Sequence, residues 1–272
     1  MSSNIIDRSH DRRVADLVND LTSIAKKYGR AGQLRENISQ RVSQFRREVG
    51  AIQDEAAEKA LRVMEVIVQL VVCRDLVGAI GLDNGLPWEQ ATDMSYFKRA
   101  TTGTVMIMGS STFKSMGCRS LPGRRSIIIT RNQAQFADLP RMPTVEFAKD
   151  FASAMVLARI RARELNAQNP IISIVGGGSI YREAMRAEVV QVVRETIVNT
   201  RTEGADTFFS ADAYVRNIQW STIHRESRFT KEADQYSQEF QIHVRKNLTS
   251  DPESIKRLVL GYDSYIGLPS KS

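Results

Sequence analysis

Apolar residues recur at alternating spacings of three and four from Val14 through Leu17, Leu21 and Ile24 to Tyr28, the stripe of an amphipathic helix. Gly29 and Gly32 interrupt it, and a second stripe follows at Leu34, Ile38, Val42, Phe45, Val49, Ile52 and Ala56. Residues 1–65 are therefore expected to form an α-helical hairpin with coiled-coil-like faces. The texture changes at Val66–Arg74, VIVQLVVCR, where β-branched residues predict a buried strand. Further strands are predicted over Thr104–Met108, Ser126–Thr130, Ile171–Val175, Val189–Val198, about Gln219–Glu226, and Gln238–Lys246. Helices are predicted between them: an amphipathic run from Asp93 to Thr101, a short one opened by Gly109-Ser110-Ser111-Thr112, an Ala/Leu/Arg-rich one over Lys149–Leu165, and one after Gly176-Gly177-Gly178. Strands that alternate with helices and then follow one another imply an α/β fold. Its central sheet is mixed and mostly parallel, with an antiparallel C-terminal edge and flanking helices. The expected organisation is a helical extension at 1–65, an α/β domain at 66–246 and a tail at 247–272.

Composition narrows this picture. At 272 residues, with 42% apolar and 25% charged residues, the chain is long enough for one sizeable core plus extensions. The net charge of +7 suits anionic ligands. Within residues 1–65, however, 12 basic side chains face 10 acidic ones, which argues against a nucleic-acid arm and for a homo-oligomer contact or a docking module. Cys73 and Cys118 show no metal or redox spacing, and His10, His224 and His243 are too scattered to hold a metal. The longest apolar run, Val66–Cys73, is broken by Gln69 and falls far short of the roughly 20 residues of a membrane span. The N-terminal residues lack the apolar core of a signal peptide, so a cytoplasmic location is expected.

Three stretches carry candidate chemistry. In the first, a Gly/Asn loop (Gly81 to Gly85) and Leu86-Pro87-Trp88 lead to Asp93, a carboxylate beside the apolar Met94 and Phe97. Burial there would raise its pKa and strengthen its hydrogen bonds; a helix N-cap is the competing role for Asp93. In the second, a strand, three glycines and a helix (IISIVGGGSIYREA) form a place where backbone N–H groups can approach a pyrophosphate. In the third, Thr130-Arg131 sets a hydroxyl beside a guanidinium, whose fork suits a phosphate monoester. With the helix start at Ser110–Thr112, these phosphate-friendly sites fit a dinucleotide bearing an additional phosphate.

Six motifs, in one order, then carry a resemblance: IGLDNGLPW at Ile80–Trp88, DMSYFK at Asp93–Lys98, VMIMGSSTFKS at Val105–Ser115, LPGR at Leu121–Arg124, IITR at Ile128–Arg131, and IVGGGSIY at Ile174–Tyr181. The chain resembles the dihydrofolate reductase family over about residues 66–246. The resemblance implies hydride transfer from NADPH to 7,8-dihydrofolate, giving tetrahydrofolate for one-carbon metabolism. It implies that Asp93 orients the pteridine and favours its protonation, with Thr196 hydrogen-bonded to that carboxylate and Leu86 and Trp88 in a closing loop. Val71 and Val175 would offer backbone carbonyls to the pteridine. Met94, Phe97, Met116 and Leu121 would wall it, and Arg124 would clamp the α-carboxylate of the folate glutamate.

The implied cofactor set is Cys73, Ile80, Asn84, Gly85, Gly109, Ser111, Thr112, Thr130, Arg131, Gly176, Gly177, Gly178, Ser179, Ile180 and Tyr181. Within it Cys73 stands where the family commonly has a small Ala. Thr130 and Arg131 would read the 2′-phosphate that distinguishes NADPH from NADH. No metal is implied. Two departures stand out: Ser110 occupies a position where many members have Arg, and the acidic loop motif reads Gly204-Ala205-Asp206-Thr207-Phe208-Phe209, with an extra Ala and no following Pro. Two other readings remain open. One is a fold-related reductase of riboflavin synthesis, against which the LPGR turn argues; the other is a structural or assembly protein that retains the fold.

Overall fold

Side chains alternate along strand β1 (Ile67–Asp75), and that alternation divides the molecule into two layers around one sheet. Val68, Leu70 and Val72 enter one apolar cluster, while Val71 belongs to another. The computed structural model describes residues 66–246 apart from 168, 212–213, 215–218 and 229–232. The helical hairpin expected over 1–65 and the tail at 247–272 lie outside the described residues.

The chain continues through β2 (Ala79–Gly81), α1 (Ala91–Thr101), β3 (Val105–Gly109), α2 (Ser110–Ser115), β4 (Arg125–Ile129), a 3₁₀ turn at Gln133–Phe136 and β5 (Val145–Ala148). Then come α3 (Phe151–Leu165), β6 (Ile171–Ile174), α4 (Gly178–Arg186), β7 (Val192–Val198), β8 (Thr207–Phe208), β9 (Trp220–Arg228) and β10 (Gln238–Arg245). Eight strands form one sheet in the order β5-β4-β3-β6-β1-β7-β10-β9. Pairing is parallel from β5 to β7 and antiparallel at β10 and β9. This is the expected mixed sheet. The short β2, β5 and β8 are additions that periodicity did not reveal.

Helix α3 supplies Phe151, Ala154, Met155, Ala158 and Ala162 to the first cluster, against Val68, Leu70, Val105 and Ile107. Small residues at the helix face let it lie close to the sheet. Asp150 opens this helix by accepting a hydrogen bond from Ser153 N at 2.7 Å. On the opposite face, Val71, Met106, Met108, Ile128 and Val175 pack with Phe113, Ala100 and Phe136.

A buried polar layer fixes α1 on that second face. Gln69 Nε2 donates to Ala100 O at 2.7 Å and to Ser173 Oγ at 2.8 Å, while Arg194 Nε donates to Gln69 Oε1 at 2.8 Å. Arg194 also reaches Tyr96 OH at 3.3 Å, and Ser173 Oγ lies 2.8 Å from Thr104 Oγ1. One amide side chain thus ties together β1, β6, β7 and the end of α1. Removing a buried partner leaves the remaining groups desolvated without compensation. The substitution Gln69→Leu is therefore expected to destabilise the fold by about 2–4 kcal/mol in urea denaturation. A change under about 0.5 kcal/mol, the usual size of a surface effect, would show that the layer does not hold α1.

Candidate active site

Parallel strands end together, and the chain that leaves them forms a cleft of about 1600 Å³. Its lining comes from the ends of β1 (Val71, Cys73), β3 (Gly109 to Thr112), β4 (Thr130, Arg131), β5 (Lys149, Asp150) and β6 (Val175 to Tyr181). Crevices at the carboxyl ends of parallel strands are where open α/β sheets bind ligands.

Asp93 lies in the first turn of α1 and is 6% exposed. It is not the helix N-cap. That position belongs to Gln90, and the capping acceptor comes from far along the chain: Asp234 accepts from Thr92 N at 2.8 Å and from Thr92 Oγ1 at 2.5 Å. Gln90 is held in turn by Tyr236, donating to its carbonyl at 2.8 Å and accepting from its N–H at 2.9 Å. With its cap filled by another residue, the Asp93 carboxylate is left to face the cleft beside Met94 and Phe97. Burial pushes its pKa up to about 6 against the hydrogen bonds of Thr196 and Cys73, and the charge of Asp234 adds to the rise.

The loop before α1 is a two-residue turn. Leu82 and Gly85 exchange backbone hydrogen bonds at 3.1 and 2.9 Å, and Asp83 and Asn84 both take left-handed φ, +50° and +62°. Asp206 latches this loop. Its Oδ2 accepts from Asp83 N at 2.9 Å, its own N–H donates to Gly81 O at 3.2 Å, and Thr207 Oγ1 donates to Oδ1 at 2.8 Å. The departing motif at residues 204–209 therefore keeps a working latch. Leu86, at 52% exposure, borders the cleft with Met94 at 53%, two apolar side chains open to cover a ligand.

The phosphate-friendly stretches converge on the other end of the cleft. The Gly176–Gly177 peptide is cis, and Gly176 has φ +119°. At Gly178, a Cβ would come within 2.9 Å of Phe208 O, and at Gly177 within 3.3 Å of Thr112 Oγ1. Any side chain there would close the cradle, which suits it to a pyrophosphate. Tyr181 lines the cradle while its hydroxyl donates to Val71 O at 2.8 Å, leaving that carbonyl one further lone pair.

Of the candidates, Ile80, Asn84, Gly85, Met116, Leu121, Arg124, Ser111, Ser179 and Ile180 also line the cleft. Trp88 and Thr196 stand behind its wall instead, 5% and 1% exposed. Arg124 is only 7% exposed, held by Pro122 O at 3.2 Å and Thr101 Oγ1 at 3.1 Å, so a turn arginine is pinned at the rim with donors to spare. The Thr130 hydroxyl is already engaged, accepting from Asn132 N at 3.2 Å and Gln135 Nε2 at 2.9 Å and donating to Asn132 O at 3.1 Å. Arg131 is exposed beside it. Lys149 joins Arg131 because Ile129 pairs with Ala148, so the two cations leave adjacent strand ends. Lys149 and Asp234 were not singled out from sequence, since each acts through a strand pairing or a contact with distant residues; Asp206 was legible only as the acid of the altered 204–209 motif.

The dihydrofolate reductase family model matches residues 67–245. A dihydrofolate reductase type 3 from Salmonella typhimurium is 30% identical over 176 residues, covering 64% of this chain and 96% of the relative. The dihydrofolate reductase of Haemophilus influenzae is 29% identical over 178 residues, covering 65% and 98%. A bifunctional dihydrofolate reductase-thymidylate synthase from Paramecium tetraurelia is 27% identical over 179 residues, covering 65% of this chain, which spans only 34% of that relative's length. Among solved structures, Enterococcus faecalis dihydrofolate reductase in complex with NADP(H) and RAB-propyl superposes with a TM-score of 0.53 at 23% identity, covering 66% of this chain and 97% of that one. The family match over most of the chain and the acid-bearing cleft at the strand ends lead to one conclusion: this chain belongs to the dihydrofolate reductase family.

Proposed function

We infer that this chain reduces 7,8-dihydrofolate to 5,6,7,8-tetrahydrofolate, consuming one NADPH and one proton. The observation that carries this reading is a single desolvated carboxylate, Asp93, facing an apolar pocket that opens onto a glycine cradle. The cleft's other acids have separate work or position: Asp150 caps α3, Asp206 latches the loop, and Glu183 lies on α4. A buried carboxylate accepts strong hydrogen bonds from an amino group and a ring N–H, which fixes a pteridine for attack on one face. Bound NADPH supplies the hydride. Gly177, Gly178, Ser179 and Ile180 suit its pyrophosphate, and Arg131 with Lys149 suits its 2′-phosphate. Lys149 offers the positive charge missing at Ser110. Met94, Phe97, Met116 and Leu121 exclude water from the ring, and Leu86 covers it from the loop side.

Arg124 supports the folate reading over a phosphorylated pyrimidine, because its position suits a carboxylate at the mouth of an apolar slot. A cytoplasmic location fits a soluble substrate pair, and among the described residues no helix is long and apolar enough to cross a membrane. An assembly or docking role for residues 1–65 fits their balanced charge.

Three outcomes test the reading. Purified protein should oxidise NADPH only when dihydrofolate is present, and Asp93→Asn should lower turnover by about a hundredfold or more, the span of a lost acid–base group. Undiminished turnover in that variant would remove the mechanism. Replacement of Arg124 by Ala should raise KM for dihydrofolate about 10- to 100-fold, a lost charge-assisted pair, with KM for NADPH unchanged.

The third outcome concerns stability. A carboxyl group whose folded pKa is raised stabilises the fold fully below its unfolded pKa, and this contribution is lost as pH rises through the folded value. For Asp93 the window runs from the ordinary aspartate value of 3.8 to about 6, worth at most about 3 kcal/mol. Asp93→Asn should therefore be the more stable protein at pH 7.5, by about 1–3 kcal/mol, with the advantage gone near pH 4. Thermal unfolding across that range reads it directly.

A further inference from the structure

Cys73 and Thr196 are register partners on the adjacent parallel strands β1 and β7, and both side chains hydrogen-bond Asp93. Thr196 reaches the acid from within the sheet at 1% exposure, whereas Cys73 is only partly buried and borders the cleft. A second observation centres on the same sulfur. Trp88 is 5% exposed, and its indole Nε1 meets no acceptor at hydrogen-bond distance among the described residues; its weak interaction with the Cys73 sulfur opposes the rise that burial imposes on the thiol. A buried indole N–H normally finds a partner, and a polarisable sulfur is a weak one. The thiol thus sits between the tryptophan of the closing loop and the carboxylate.

The geometry points to Cys73 as a positioning residue for the reduction: its S–H donates to Asp93, shares the carboxylate's inner side with Thr196, and ties that carboxylate to Trp88 of the loop. This extends the dihydrofolate reading, on which it rests. Burial and the neighbouring charge of Asp93 hold the thiol well above its usual pKa, so the donor hydrogen is present throughout the neutral range. A carboxylate offers about four acceptor directions. Two are filled from the wall by Thr196 and Cys73, which leaves the remainder for the ligand and resists rotation of the side chain.

The surroundings of Asp93 make this donor matter. From the β9–β10 connection, Asp234 opposes ionisation by its charge. From α4, Tyr181 is buried beside the pair with its hydroxyl committed to Val71 O. From β7, Arg194 is engaged with Gln69 and Tyr96, and Glu195 bonds Arg74 and His243. Among the described residues, the hydroxyl of Thr196 and the thiol of Cys73 are the donors that counter the burial of Asp93.

The test uses the full chain labelled with carboxyl ¹³C aspartate, with the Asp93 resonance identified by its loss in Asp93→Asn. Its NMR titration is compared in the parent, Cys73→Ala, Cys73→Ser and Thr196→Val, alongside the pH profile of NADPH oxidation. The Asp93 midpoint should rise by about half a unit or more in Cys73→Ala, as in Thr196→Val, because a donor to the charged form is lost. In Cys73→Ser, where a stronger donor occupies nearly the same volume, it should return to the parent value or below. The kinetic midpoint should move in the same order. A midpoint unchanged in Cys73→Ala while Thr196→Val raises it would overturn the proposal, as would equal midpoints in Cys73→Ala and Cys73→Ser. Absence of dihydrofolate-dependent oxidation in the parent would instead overturn the function, and the NMR titration would still decide the role of Cys73.

Discussion

Desolvation of one carboxylate is the constraint on which the rest of the structure depends. Asp93 is held out of water at 6% exposure, with its pKa pushed up to about 6, and a group so placed must be gripped from several sides. Helix α1 is fixed at both ends for this purpose. Asp234 and Tyr236 hold its start, and the Gln69 and Arg194 layer holds its finish. Neither anchor touches the cleft's apolar wall. Each acts by setting where the helix begins and how closely it lies on β1 and β7.

The same arrangement explains why the cleft has two chemically different ends. Parallel strands send their chain out on one edge, so glycine backbone at the end of β6 and cations after β4 and β5 gather where phosphates are favoured. The α1 side supplies instead one acid among methionine, phenylalanine and leucine side chains. A ligand pair that is polyanionic at one end and a flat polar ring at the other meets matching surroundings. The loop over residues 81–88 spans the junction, and Asp206 on the β2–β8 pair holds it there.

Much of this was legible in the sequence because it is local. Asp93, the glycine run and the LPGR turn each declare themselves within a few residues, and β-branched stretches mark the central strands. Their placement in one cleft follows from parallel pairing. What escaped was set by contacts across long separations or by elements too short to show a period. Asp234 caps a helix 142 residues earlier, and nothing beside it announces an acceptor for Thr92. Strand β5 has four residues, of which only Ala148 is buried, so neither alternation nor an apolar run could reveal it, and Lys149 was hidden with it. The latch is the instructive case: an altered motif at 204–209 still delivers a carboxylate to Asp83 N, because the requirement is for an acceptor at one point rather than for a fixed spelling. Thr130 runs the other way, since its hydroxyl is absorbed by the turn it sits in.

The central claim is that the raised ionisation of Asp93 governs the chemical step. The most direct measurement is the single-turnover rate of hydride transfer to dihydrofolate from preformed complex, followed by loss of NADPH fluorescence as pH is varied. Since reduction consumes a proton near this acid, the account predicts a plateau at low pH and a decline as pH rises past about 6, and the decline should vanish in Asp93→Asn. A parent rate that is flat across this range, or a variant that keeps the same decline, would contradict it.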